Sequence, residues 1–92
     1  MNERVNAKSN GKCGGYFAKV VEGFKARMIN PIHNSTGELE DLIEETEYNP
    51  GEVIFCENWK PEGIWVTCVG HPGMFLWWKE LAHCEYLGKE VA

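Results

Sequence analysis

The stretch "EVIFCENWKPEGIWVTCVGHPGMFLWW", residues 52–78, decides the fold class. Three runs within it, 52–58, 64–70 and 74–78, are rich in β-branched and aromatic residues. Turn-forming residues separate them at 59–63 and at 71–73, "HPG". The pattern predicts a meander of three strands. Side chains alternate between the faces of a strand. Met74, Leu76 and Trp78 then share one face, and Phe75 and Trp77 share the other. One strand earlier, Ile64, Val66 and Cys68 oppose Trp65, Thr67 and Val69. Both faces are apolar, whereas a sheet with one wet face shows apolar–polar alternation. One face fills a core and the other needs a cover or a partner. By this reading Trp78 belongs to the core and Trp77 to a contact surface.

After the meander, 79–83 makes one short helical turn and "CEYLG", 84–88, a last short strand. Before it, "NSTGELEDLIEETEYNPG", 34–51, predicts a short helix over 36–46. Ser35 and Glu38 stand at capping-box spacing, Leu39, Leu42 and Ile43 repeat at helical spacing, and "NPG" stops the element. The acids on this segment repel one another at Glu40–Glu44 and Asp41–Glu45, and those near its end oppose the helix dipole. Residues 14–31 fit a helical stripe of Phe17, Val20, Val21, Phe24 and Met28. They also fit strands, with "EG" at 22–23 as a hairpin closure or bulge. Gly23 inside a helix costs about 1 kcal/mol, which favours β.

Ninety-two residues make one domain with a small core. Residues 1–13 are expected to be a flexible leader, and 14–92 a single small β-rich domain. No apolar run approaches the roughly 20 residues needed to span a bilayer, and the N-terminus lacks the apolar region of a secretory signal. The expectation is a cytoplasmic protein with no membrane contact, whose cysteines, 13, 56, 68 and 84, stay reduced. The net charge of −5 is unevenly spread. Residues 1–30 hold six bases and two acids, 31–62 nine acids and Lys60 alone, and 63–92 two bases and three acids. The acidic middle is either a solvated surface or a face for a basic partner.

The order of these elements resembles an SH3-like small β-barrel: a first strand, a long excursion, a three-strand meander, a single helical turn and a last strand. The resemblance covers about three quarters of the chain and implies an α+β, mainly β fold. This is a small SH3-like barrel or a curled antiparallel sheet with one short acidic helix. Such barrels bind proteins, peptides and nucleic acids alike, so the resemblance implies a fold and no activity.

The residues bear on four chemistries. Cys13, Cys56, Cys68, Cys84, His33, His71 and His83 supply candidate metal ligands, but none forms a C-x₂-C or H-x₃-H pair. Cys56 and Cys68 can face each other across the 52–70 hairpin as small core residues. No metal and no cofactor are expected. A thiol nucleophile needs a base in reach, and Cys84 with His71 or His33 is a pairing any small protein with these residues offers. No catalytic motif occurs, so no enzyme is expected. Nucleic-acid binding needs cations beside stacking aromatics. Here the aromatics lie in the second half and the bases in the first, which makes a nucleic-acid-binding barrel the alternative. Contact with a protein fits best, through Trp59, Trp65 and Trp77 and through Glu40, Glu44 and Glu47. The partner is a basic protein or a second copy of the chain. In size and charge the chain resembles the phage or mobile-element inhibitors that block a host nucleic-acid enzyme. The cover expected over the outer apolar face is the acidic helix, through Leu39, Leu42 and Ile43, with Phe17 and Val20.

Overall fold

The computed structural model describes residues 3–12 and 14–89. The elements are β1 Tyr16–Val20, β2 Phe24–His33, β3 Leu39–Tyr48, β4 Val53–Glu57, β5 Gly63–Cys68, β6 His71–Trp77, α1 Trp78–Leu81 and β7 Cys84–Gly88. They form a five-stranded sheet in the order β6-β5-β4-β1-β7 and a separate two-stranded sheet of β2 and β3, antiparallel throughout. The fold is mainly β, with one helical turn before the last strand. The ambiguous segment 14–31 is two strands that belong to different sheets, with residues 21–23 as the corner between them.

Alternation builds the core. Tyr16, Ala18 and Val20 of β1, Ile54 and Cys56 of β4, Ile64 and Val66 of β5, Met74 and Leu76 of β6 and Cys84 of β7 all point to the inner face and are buried. Four residues from outside the sheet close over them: Ala26 and Tyr48 from the base of β2–β3, Leu81 from α1, and Val5. Cys56 pairs with Val66, so it does not face Cys68 across the β4–β5 hairpin. Cys56, Cys68 and Cys84 carry free thiols, and Cys13 lies outside the described residues.

The acidic helix expected over 36–46 is instead β3. Asn34 is the reason for the turn before it. Its side-chain oxygen accepts the N–H groups of Thr36 and Glu38, each at 3.0 Å, and the Thr36 hydroxyl at 2.8 Å. Gly37 supplies the left-handed conformation, φ 85°, that closes the loop. Residues that satisfy a capping box thus make a hairpin loop. The pairing then runs from Phe24↔Tyr48 to His33↔Leu39. It places Lys25 opposite Glu47 and brings Arg27 Nε to 3.3 Å from Glu45. A lone helix with like charges at i,i+4 offered none of this.

The barrel does not close. β6 and β7 are the two edges of the five-stranded sheet and do not pair with each other. The outer edge of β7 is occupied from the other side by the N-terminal segment. Val5 N–H donates to the Cys84 carbonyl at 2.9 Å, Tyr86 N–H donates to the Glu3 carbonyl at 2.7 Å, and the Arg4 and Glu85 backbones pair as an isolated antiparallel β-bridge. A strand edge has one set of free backbone groups, and here Glu3–Val5 uses it. The residues set apart as a leader therefore contribute an edge cover and the buried Val5. Arg4 ties them down further, donating to Glu22 Oε1 at 2.7 Å and to the Ala82 carbonyl at 3.0 Å.

The second turn of the meander also lies elsewhere than expected. "HPG" at 71–73 is part of β6, and the β5–β6 turn is Val69–Gly70, with Gly70 at φ 85°. Val66 pairs with Met74 but Cys68 pairs with His71, so β6 carries one extra residue between these pairs, a bulge at Pro72–Gly73.

The β2–β3 hairpin is an arm. Its base packs on the core through Phe24, Ala26, Thr46 and Tyr48, and Met28 is half-buried. Beyond Met28 no described side chain on either strand is buried. The arm stretches the molecule to 52 Å against 24 and 20 Å in the other directions.

Candidate functional site

Two features of this fold can act on another molecule: the outer face of the sheet with the arm beside it, and a cluster of polar side chains at the base of the arm.

The outer face carries the residues that alternate with the core. Trp65 and Phe75 are cross-strand partners, with ring centroids 5.5 Å apart and edge to face. Phe75 and Trp77 lie on one face of β6, 5.9 Å apart and again edge to face. Trp65 is 39% and Trp77 49% exposed, so this cluster is open to solvent. On the neighbouring strands Phe17 packs on Phe55 at 4.9 Å, above a shallow apolar depression that Val53, Thr67, Cys68 and Val69 complete. Phe17 was expected among the covering residues and Val20 with it. Phe17 belongs to the face itself, and Val20 is in the core. Leu39, Leu42 and Ile43, the rest of the expected cover, stand exposed on the arm. The face has no cover among the described residues.

The arm flanks this face. A groove of about 350 Å³ runs between them, lined by Arg27, Met28 and Ile29 of β2 and by Phe75 and Trp77 of β6. Further out the arm presents apolar side chains on both surfaces. Ile29 and Ile43 oppose each other on one; Ile32 and Leu42 lie on the other. Glu40 and Glu44 share a surface with Leu42, while Glu47 lies on the opposite one, facing Lys25. The three glutamates thus do not form one patch. Residues 24–48 hold six acids and two bases, and one of those bases, Arg27, is engaged with Glu45. Trp59 stands in the β4–β5 loop, 36% exposed, and no ring contact joins it to the Trp65–Phe75–Trp77 cluster among the described residues.

The second feature was not anticipated. Glu52 follows the β3–β4 turn, and its Oε1 accepts the Asn49 N–H at 2.6 Å. That leaves Oε2 facing His71 Nε2 at 2.6 Å and Cys68 Sγ at 3.9 Å. The bond from Asn49, with lesser help from His71, holds the Glu52 carboxyl below the usual carboxylate range. Burial and the Glu52 charge push the Cys68 thiol up. The Tyr48 ring packs against the His71 ring at 5.2 Å. The Tyr48 hydroxyl is buried with no hydrogen-bond partner among the described residues. Burial, with the charges of Cys68 and Glu52, pushes its pKa up to about 12. One carboxylate oxygen, one thiol and one imidazole nitrogen thus lie within 4.8 Å of one another, half-buried. The sequence did carry a signal: Cys68-x₂-His71 flanks a two-residue turn, which offers two side chains as a C-x₂-C pair does. Without the bulge, Pro72 would oppose Cys68 and His71 would point to the outer face.

The cysteine–histidine pairs considered for nucleophilic chemistry are not assembled. Cys84 is buried, and burial pushes its thiol up to about 12. His33 lies at the far end of the arm. Among the described residues no helix is long and apolar enough to cross a membrane. Comparison with protein-family models, with curated proteins and with solved structures finds no match.

Proposed function

We propose that the chain is a protein-binding module that acts by contact, with Trp65 and Trp77 as anchors and the acidic arm as the electrostatic guide to a basic partner. The observation that carries the reading is the open Trp65–Phe75–Trp77 cluster, with a groove leading from it to an arm of six acids and two bases. Exposed aromatic clusters are the usual anchors of interfaces, and a net-negative flank speeds encounter with a cationic surface. The strand order β6-β5-β4-β1-β7 is compatible with an SH3-like relationship, as an open curled sheet. A nucleic-acid enzyme has a basic groove of the required sign, so the partner class we favour is such an enzyme. The chain would then be an inhibitor of the phage or mobile-element kind. Glu40 and Glu44 would meet one lip of the partner's surface and Glu47 the other, because they lie on opposite surfaces of the arm.

The alternative is a nucleic-acid-binding sheet. It draws on one observation: Arg27 lines the groove beside Phe75 and Trp77. The ion pair to Glu45 and the surplus of acids on the arm weigh against it.

The experiment is affinity capture from the native host with three baits: the wild type, Trp65→Ala/Trp77→Ala, and Glu40→Gln/Glu44→Gln/Glu47→Gln. One basic protein should be retained by the wild type, lost by the tryptophan variant and released at lower salt from the glutamate variant. Retention that both variants leave unchanged would overturn the reading. A titration with single-stranded oligonucleotide, followed by tryptophan fluorescence, decides the alternative. Sedimentation of the free chain shows whether the partner is a second copy.

A further inference from the structure

We infer that Glu52, Cys68 and His71 form a binding site for a zinc-class divalent cation at the junction of the arm and the sheet. The inference is independent of the protein-binding reading. The donor set is what a borderline-soft ion takes: a carboxylate oxygen, an imidazole nitrogen and a thiolate sulfur. The spacing suits one ion. Ligand atoms about 2.0–2.3 Å from a tetrahedral zinc stand roughly 3.3–3.7 Å from one another. Here Glu52 Oε2 lies 3.9 Å from Cys68 Sγ and 2.6 Å from His71 Nε2, and all three atoms are within 4.8 Å. The ion replaces the Glu52–His71 hydrogen bond and needs shifts of under about 1 Å in each donor. As the zinc–sulfur and zinc–nitrogen bonds form, Cys68 gives its proton to solvent and the proton that His71 Nε2 shares with Glu52 leaves that nitrogen, with Nδ1 carrying the ring proton of the neutral imidazole.

Three features of the surroundings are those of a site and go beyond a chance ion pair. The bulge at Pro72–Gly73 turns His71 to the inner side, opposite Cys68, where a regular β6 would send it outward. The Asn49 N–H fixes the other oxygen of Glu52 at 2.6 Å, the kind of outer contact that orients a ligating carboxylate. The Tyr48 ring packs against the His71 ring at 5.2 Å, and its hydroxyl is buried with no hydrogen-bond partner among the described residues. A hydroxyl in that state is costly, and a polar ligand entering between the arm and the β5–β6 hairpin would give it a partner. Three protein donors leave the fourth position of a tetrahedral ion to water. The ligands join two segments, the β3–β4 turn and the β5–β6 hairpin, so the ion would clip the base of the arm to the sheet.

The test uses the full chain carrying Cys13→Ser, stripped with chelator and kept reduced. Zinc is titrated by calorimetry, and cobalt by its thiolate charge-transfer absorption. A saturable isotherm with one zinc per chain and a cobalt–thiolate band are expected. Cys68→Ala, His71→Gln and Glu52→Gln should each weaken zinc binding about tenfold or more, and His33→Gln should not. Circular dichroism establishes that each variant is folded. Cys68→Ala guards against misfolding, because it removes a donor and leaves the Glu52–His71 pair and the Asn49 contact in place. No saturable isotherm, a cobalt complex without the thiolate band, or unchanged affinity in any one of the three folded variants overturns the proposal.

Discussion

Trp77 and Trp78 are adjacent in the chain and serve opposite sides of the sheet. Trp77 ends β6 on the outer face, half exposed, in edge contact with Phe75. Trp78 starts α1, packs against the core and donates its indole N–H to the Pro61 carbonyl at 3.0 Å. The two alanine variants should therefore differ in kind. Trp78→Ala removes a ring from the core margin and the indole bond to the Pro61 carbonyl, for a loss of about 2–4 kcal/mol in denaturant unfolding. Trp77→Ala should stay within about 1 kcal/mol of the wild type. Equal losses in both would remove Trp77 from the contact surface.

Beyond Met28 the arm adds nothing to the core. Replacing residues 30–42 by Asn-Gly joins Ile29 to Ile43, which face each other in the ladder. The dipeptide suits a two-residue hairpin turn. The shortened chain should keep its near-ultraviolet circular dichroism and lose less than about 1 kcal/mol of stability. A collapse of the tertiary signal would mean that the distal arm packs on the sheet.

Gly63 is held by the close approach of β6. A methyl group built on it lands on the Leu76 carbonyl oxygen and comes within 3.0 Å of the Phe75 ring. Backbone cannot yield as a flexible side chain can, so Gly63→Ala should cost about 2–3 kcal/mol through strain in the β5–β6 pairing. Gly73→Ala, where the added methyl meets open space, is the control. Thermal melts of the two variants decide the matter.

Acid should loosen the N-terminal segment. The Arg4 guanidinium, with lesser help from His83, holds the Glu22 carboxyl below its ordinary value of 4.5. A carboxyl depressed in the folded state adds stability that is complete above the unfolded pKa. That stability is lost as pH falls through the folded pKa. The tether is therefore intact near neutrality, begins to weaken below the ordinary carboxyl value and is lost as pH falls through the lower folded value. Exchange of the Val5 amide, which bonds to the Cys84 carbonyl, should rise in that window beyond its intrinsic pH trend. Glu22→Gln should exchange faster than the wild type near neutrality and converge with it in acid.

The meander was legible because its signal is local: alternating large side chains broken by Pro and Gly. The same alternation placed Trp65, Phe75 and Trp77 on the outer face, although Phe75 was not named among the contact residues. β3 was illegible for a physical reason. Leu39, Leu42 and Ile43 fit a helical stripe, and Asn34-Ser-Thr-Gly fits both a helix cap and a hairpin loop. The choice was made by β2, which supplies a ladder partner to each residue of β3. The open sheet depends likewise on Glu3–Val5, far in sequence from the β7 edge it covers. The Glu52–Cys68–His71 cluster depends on a single inserted residue at the β6 bulge. A period of two cannot reveal such a shift, because one residue more or less reverses every face after it.

The arm also bears on how fast the chain can find its fold. β1 pairs with β4 across residues 21–52, a stretch of 32 residues whose closure is slow in a flexible chain. Once the arm has zipped, Phe24 and Tyr48 are neighbours, and only residues 21–23 and 49–52, seven in all, remain to be ordered. Loop-closure entropy scales with the logarithm of length, so this shortening lowers the cost of bringing β1 to β4 by about 1.3 kcal/mol. Hairpins form in roughly 1–10 μs, well before a long-range strand pair is expected. The arm, whose outer half adds nothing to the core, is thus a folding short cut, and slowing its closure should slow the assembly of the sheet it never joins.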